Sequence, residues 1–410
     1  MIDVEQAKQQ VCDRVDELAD RLVDASRQIH ARPELNYEEH FAHGLLTDLL
    51  DELSGAGELV VERQAFGLET AFDATVASTS HLGGPTVAVL CEYDALPGIG
   101  HACGHNVIAA AGLGAGLAAA IVAESLGGRL RIMGTPAEEG GGGKVRMARR
   151  GAFDGVDAAM MVHPADADLL KMDCLAIQGL EVNFAGRAAH AAAAPWEGRN
   201  ALDAAVLGYM NVAALRQHIR ADERIHGVFT KGGDKPNIVP ATAAMDWYVR
   251  SATVDSLQTL KRRVLSCLEG AALACGCTMH HEWIDNVYAE MIDNAPLVGT
   301  YVANAARLGR TVVDPRSAGR SVMGSTDMGN ISHLVPSIHP MIKVAPDGVP
   351  IHSVDFAEHA GGPAGDRAVI DGAKAMAMTV VDLWASADLR ARISAEFAAR
   401  PIGVDVLAGP

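Results

Sequence analysis

The chain has 410 residues, 49% of them hydrophobic and 21% charged, with 34 basic and 51 acidic side chains for a net charge of −17. That length exceeds one ordinary core and predicts two domains, and the composition excludes a disordered chain. The acidic balance argues against nucleic acid and anionic membrane as partners, since both bind basic patches, and leaves a small-molecule substrate open.

Apolar residues at helical spacing (Val11, Val15, Leu18, Leu22, Ile29) predict a first helix over 5–30, ended by Pro33. The N-terminal stretch is amphipathic and acidic, with no basic segment leading into an apolar one, so no signal peptide is expected. A second helix is expected over 38–53. Thr86–Leu90 is a continuous apolar run, as in a buried strand. A loop rich in Gly, His and Asp follows to Asn106. The Ala-rich stretch over 107–123 is broken by Gly112, Gly114 and Gly116 and predicts a buried helix rather than a membrane span. A strand over 129–133, a loop over 135–143, a helix over 144–150 and a strand over 156–162 come next. Strands alternating with helices predict an α/β layer with a mainly parallel sheet.

From about Gln178 the pattern becomes strand, helix, two strands, helix, strand, the order of a ferredoxin-like α+β domain. The expectation is an inserted domain, 179–292, within a catalytic domain made of 1–178 and 293–410. The seven cysteines are odd in number and form no regular framework, which predicts reduced thiols and a cytoplasmic location.

Metal-compatible side chains gather where loops leave strand ends, which is where open α/β sheets build sites. Cys103 and His105 offer a thiolate and an imidazole, a pair suited to zinc, and Asp94 can orient a histidine ligand. Pro136-Ala-Glu-Glu-Gly-Gly-Gly-Gly143 sets Glu138 beside Glu139. Bare neighbouring carboxylates repel, and a cation removes that cost; one can bind metal while the other acts as general base. The pattern lacks the Gly-Lys-Ser/Thr ending of a phosphate loop. His163 ends an apolar strand, and His352 lies far down the chain. Together these residues make a metal site with room for two ions. The inserted domain adds His190, Asn237 and Arg250, which suit an oxyanion donor and a carboxylate clamp.

Read in order, these pieces resemble the metallopeptidase family of aminoacylases, bacterial glutamate carboxypeptidases, N-acyl-diaminopimelate deacetylases and plant auxin-conjugate amidohydrolases. The resemblance runs from Ile29-His-Ala-Arg-Pro-Glu-Leu-Asn36 through Asp94-Ala-Leu-Pro, Ala102-Cys-Gly-His105, Pro136 to Gly143, His163-Pro and Gly186-Arg-Ala-Ala-His190 to Gly324-Ser-Thr-Asp327 and His352. It implies a zinc-peptidase-like catalytic domain with an inserted dimerisation domain, and hence a homodimer. It implies ligands at Cys103, His105, Glu139, His163 and His352 for divalent metal, two ions per subunit, zinc or manganese. Cys103 takes the bridging position, and Glu138 is the general base on a metal-bound water. His190 is similar to a histidine that reaches the partner subunit's site, and Asn237 and Arg250 to residues that grip a substrate carboxylate. Where auxin-conjugate enzymes read Cys-Gly-His-Asp-Gly-His, this chain reads Cys103-Gly-His-Asn-Val-Ile108. Its Glu92–Asn106 run is more similar to p-aminobenzoyl-glutamate hydrolase subunits and β-alanyl dipeptidases.

The expected activity is therefore hydrolysis of the amide bond of a small N-acyl amino acid or dipeptide bearing a free carboxylate. The alternatives are a non-catalytic binding protein on the same fold and a cysteine amidase using Cys103 with His105. In the second, a two-residue spacing is poor geometry and the glutamate pair has no role. Asp327 lies behind the ligands, faces substrate, or merely shapes a turn.

Overall fold

The computed structural model describes residues 3–54, 59–76, 83–317, 323–400, 403 and 405–408. The chain divides into two compact units, Met1–Asp173 with Met291–Ile402, and Cys174–Glu290 with Gly403–Pro410.

The first unit carries a six-stranded sheet. Its strands lie in the order Leu59–Arg63, Phe72–Val76, Arg129–Gly134, Thr86–Cys91, Ala158–Met160, Ser337–Ile338. The last four run parallel and the first two are antiparallel. The Thr86–Cys91 strand is buried at every position, as its unbroken apolar run requires. The helices Val4–Ala31, His105–Leu126 and Pro363–Ala385 pack on one another. His105–Leu126 is long and apolar enough to cross a membrane by length and composition, but it is a core helix, 89% buried over its most apolar window. Glycine lets it lie close to the sheet: a Cβ at Gly116 would stand 2.4 Å from the Ile132 side chain. The two antiparallel strands were not among the expected elements. Phe72, Ala74 and Val76 alternate with Asp73 and Thr75, a period-two signal in a run too short to stand out.

The second unit is a four-stranded antiparallel sheet in the order Thr278–Tyr288, Ala176–Ala185, Thr242–Ser251, Arg224–Lys231. The helices Ala201–Leu215 and Val254–Ala274 pack on each other and on the sheet. Both helix starts are capped: the Asn200 side chain accepts from Leu202 and Asp203 N–H, and Thr253 and Ser256 form a capping box. The chain order of strands and helices is ferredoxin-like. Its strands are longer than the sequence suggests. Ala176–Gln178 pair with Val249–Ser251, and the fourth strand runs on to Tyr288, so the cut between units falls at 173/174 and 290/291 instead of 178/179 and 292/293. Pairing rather than side-chain pattern sets those ends.

Candidate metal centre

Neighbouring parallel strands end on one edge of the sheet, and each delivers part of the site. The Thr86–Cys91 strand leads to Glu92 and Asp94, then through a loop to Cys103 and His105, where the core helix begins. Arg129–Gly134 leads into the Glu138-Glu139 loop, Ala158–Met160 into His163, and Ser337–Ile338 into His339. Gly104 separates Cys103 from His105 in a left-handed conformation (φ +81°), with Pro164 only 2.8 Å from where a Cβ would lie. His352 is also left-handed (φ 65°), and its N–H donates to Ala102 O at 2.8 Å, which fixes it beside Cys103.

Side chains from these loops meet closely. Cys103 Sγ lies 3.3 Å from His163 Nε2. One triplet of donor atoms comes from Cys103, His105 and His163, a second from Cys103, Glu139 and His352, and a third from Glu92, His105 and Glu138; within each, the atoms lie within 4.8 Å of one another. Cys103 is shared by the first two. His105 Nδ1 donates to Asp94 Oδ1 at 3.0 Å, which turns Nε2 toward Glu92, Glu138 and Glu139 at 3.5, 3.8 and 4.0 Å. Asp94 Oδ2 accepts the Glu139 N–H at 2.9 Å, so one carboxylate orients both a histidine and the glutamate loop. His352 Nε2 stands 3.5 Å from Glu139 Oε1. The structure thus brings together the five expected ligands, Glu138 and Asp94.

Charge explains what such a cluster needs. Burial, with Glu92 and Glu139 close by, pushes the Glu138 carboxyl well above its usual range. Burial would also raise Glu139, but His352 and His105 hold it low. Environment therefore splits the pair into a proton holder and an anion. Burial and Glu139 push the Cys103 thiol well up, and burial with His105 nearby lowers His163 to about 4. Burial opposes a charged His105, yet Asp94 and Cys103 outweigh it and raise it. Buried His105 Nε2 and Glu139 Oε1 have no hydrogen-bond partner. The donor set fits divalent cations: thiol, imidazoles and carboxylate converge, orphaned donor atoms face inward, and the protons held there are those a metal displaces.

Asp327 is fully buried and accepts from Lys144 N at 2.8 Å and Lys144 Nζ at 2.6 Å. Lys144 Nζ also lies 2.5 Å from Glu92 Oε1. The sequence reading missed Glu92 and Lys144, both buried beside the ligands. Their signal was a charged residue after a buried strand and another after a glycine run. It missed His339 too, whose ring lies 5.1 Å from that of His163 and whose nitrogens are buried without partners.

The second unit holds the other expected residues. His190 and Asn237 are exposed neighbours: His190 bridges Ile238, and the Ala191 N–H donates to Asn237 O at 3.0 Å. His190 Nδ1 accepts from Ala192 and Ala193 N–H at 3.3 and 3.2 Å, so its proton sits on Nε2, pointing outward as a donor. Arg250 is half-buried, with its guanidinium 6.0 Å from the Tyr248 ring centroid. It does not adjoin Asn237. Thr242 pairs with Ala185 at the His190 end of the sheet, whereas Arg250 pairs with Ile177 at the other, about 26 Å along the strand at ~3.3 Å per residue. Within one copy, Asn237 and Arg250 therefore do not meet on one carboxylate.

Residues 88–380 match the model of peptidase family M20/M25/M40. The chain belongs to this family. It is 41% identical to the mouse Xaa-Arg dipeptidase over 93% of this chain and 90% of that protein. It is 30% identical to a p-aminobenzoyl-glutamate hydrolase subunit of Escherichia coli over 90% of each. The fold is similar to that of a dinuclear metal binding peptidase of family M20 from Bacillus subtilis, with a TM-score of 0.68 at 18% identity, over 89% of this chain and 98% of that one. This M20 protein is thus a metal-dependent hydrolase of amide bonds in small substrates.

Proposed function

We propose that this M20 enzyme hydrolyses the amide bond of a dipeptide or N-acyl amino acid at two divalent ions, zinc or manganese, held by Cys103, His105, Glu139, His163 and His352. The observation that carries this is the sharing of Cys103 by two ligand triplets with Glu138 alongside. The ions would lower the pKa of the attacking water and polarise the scissile carbonyl. Glu138 takes the proton from water as it adds to the carbonyl carbon, and returns it to the departing amine. His190 donates from Nε2 to the developing oxyanion, and Arg250 and Asn237, each from a different copy, bind the substrate's carboxylate.

A dimer is part of this reading, with the second unit as its dimerisation domain. A dipeptide cannot span the sheet from Arg250 to His190, so a site using both draws on two copies. The edge strand Arg224–Lys231 exposes Val228 and Phe229, and Tyr209 on the adjacent helix stacks on Phe229 at 5.7 Å between centroids. Val206, Leu207 and Met210 extend this apolar surface, which supports edge-to-edge pairing. The free cysteines support a reducing compartment, the cytoplasm.

Xaa-Arg dipeptides are the first substrates to try. The mouse relative's activity supports them, and the −17 charge favours approach of cationic substrates. N-acyl amino acids, aminobenzoyl-glutamate and β-alanyl dipeptides complete the screen, each run with zinc, manganese and cobalt. Glu138→Ala should lower kcat at least about a thousandfold with metal content unchanged, as loss of a proton-transfer group does. Retained turnover, or loss of metal with activity kept, overturns the assignment. The 3.3 Å contact of Cys103 with His163 favours one rival, a thiol nucleophile. A thiol pushed well up is a poor one, and chelation with EDTA decides, since only the metal enzyme loses turnover and regains it on reloading.

A further inference from the structure

The loop carrying Glu138 and Glu139 is held in an uncomfortable shape. Ala137, directly before the pair, has φ 58°, a left-handed conformation that costs a residue with a Cβ. Its N–H is buried and donates to Glu39 Oε1 at 2.9 Å. Glu39 lies just ahead of the helix His40–Leu53 and is fully buried. Its Oε1 also accepts the Tyr37 N–H at 3.0 Å, and its Oε2 accepts the Thr70 hydroxyl at 2.7 Å. Tyr37, itself left-handed, donates its hydroxyl to Gly141 O at 2.8 Å. One short segment, Tyr37–Glu39, therefore grips the glutamate loop on both sides of the pair. Asp94 takes the Glu139 N–H and Asp327 the Lys144 N–H, so three buried carboxylates anchor the loop backbone. Two of these also serve other polar groups of the centre. Among the described residues, the Glu39 carboxylate hydrogen-bonds Ala137, Tyr37 and Thr70 and none of the proposed ligands.

We propose that Glu39 is a positioning residue for Glu138: its carboxylate holds Ala137 in the left-handed turn that aims Glu138 into the centre. The inference rests on the reading of Glu138 as base. A side chain placed an ångström away transfers a proton poorly even when substrate and metal still bind. Loss of the contact therefore falls on kcat rather than on KM or metal affinity.

The test compares Glu39→Leu, Glu39→Asp and Glu39→Gln in the full-length, metal-loaded protein. Wild-type turnover in the same assay tests the proposed function separately. Leu removes both acceptors at similar volume, Asp withdraws the carboxylate by one methylene, and Gln keeps an acceptor for Ala137. The expected result is a kcat lowered about a hundredfold in Glu39→Leu and tenfold in Glu39→Asp, with KM and bound metal within threefold of wild type. Glu39→Gln should stay within threefold in kcat. Hydrogen exchange gives a readout independent of turnover: amides over 137–143 should exchange at least tenfold faster in Glu39→Leu and Glu39→Asp, but not in Glu39→Gln. Unchanged kcat in Glu39→Asp, an effect on KM alone, a Gln variant as impaired as Leu, or unaltered exchange overturns the proposal. Should Glu39→Leu fail to fold, the Asp and Gln pair decides.

Discussion

The two units offer their polar residues in opposite ways. In the first, Cys103, His105 and His163 are buried, Glu139 is mostly so and only His352 is exposed at the rim; the set is braced by other buried carboxylates. In the second, His190 and Asn237 are exposed on loops, and Arg250 stands at the far end of the sheet. A buried centre can be complete within one chain because its geometry is set by packing and by internal hydrogen bonds. An exposed set divided between two ends of a sheet is incomplete until another surface covers it. The contrast predicts that proton transfer belongs to one copy and oxyanion stabilisation to its partner.

Complementation is the hardest test of that contrast. Glu138→Ala and His190→Ala should each be nearly inactive, the second by about a hundredfold or more as for loss of an oxyanion donor. In a mixed dimer, one site keeps its own Glu138 and receives an intact His190 from the other chain. Random reassociation of equal amounts should then restore about a quarter of wild-type turnover, since half of the dimers are mixed and each has one intact site. A mixture no more active than its components breaks the comparison and places both residues in the site of the same chain.

Lys144→Met asks whether the first unit's centre truly depends on buried charge. The lysine sits between Glu92 and Asp327 with side chains of all three fully buried. Removing it leaves two carboxylates without their counter-ion, which typically costs about 3–5 kcal/mol, so the melting temperature should fall by roughly 6–15 °C. Lys144→Arg should not rescue it, because a planar guanidinium does not fit a pocket shaped for a point charge. Equal melting of Lys144→Met and wild type would show that the neighbouring carboxyls neutralise by protonation instead.

Much of this was legible in the sequence. Three of the four parallel strands were readable from apolar runs, Thr86–Cys91 most plainly because it is buried throughout; the two-residue Ser337–Ile338 was too short to show a pattern. The centre was readable because ligands need Cys, His and Glu at strand ends, so Cys103, His105, Glu139 and His163 stood out as types out of place. Glu39 and Lys144 were not readable. Their roles lie in whom they contact, across sequence gaps of 98 residues to Ala137 and 183 to Asp327, and nothing in their own neighbourhoods announces it. The separation of Arg250 from Asn237 was hidden for a similar reason: 13 residues apart in sequence, they are driven apart by the straightness of a strand.

The smallest expected effect concerns pH, where the two units should respond with opposite sign. In the first unit, burial raises the Asp293 carboxyl to about 7 from an ordinary value of 3.8, and its Oδ1 has no partner. The folded state then holds a proton that the unfolded chain has released, so this group's contribution is fully favourable below about pH 4 and is lost as pH rises to about 7. In the second unit, burial lowers Lys261 to about 8 from 10.5, with its ammonium 4.1 Å over the Trp283 ring. Here the unfolded chain holds the extra proton, so a penalty present below about pH 8 is relieved as pH rises toward 10.5. Asp293→Asn should therefore gain on wild type between pH 5 and 7.5, by about 2–4 °C in melting temperature. Lys261→Met should gain at pH 7 and lose that advantage by pH 10, by about 1–2 °C because the lysine is only half-buried. Melting curves across that range check both, and two variants that drift in the same direction would mean that the units do not differ in what burial does to their charges.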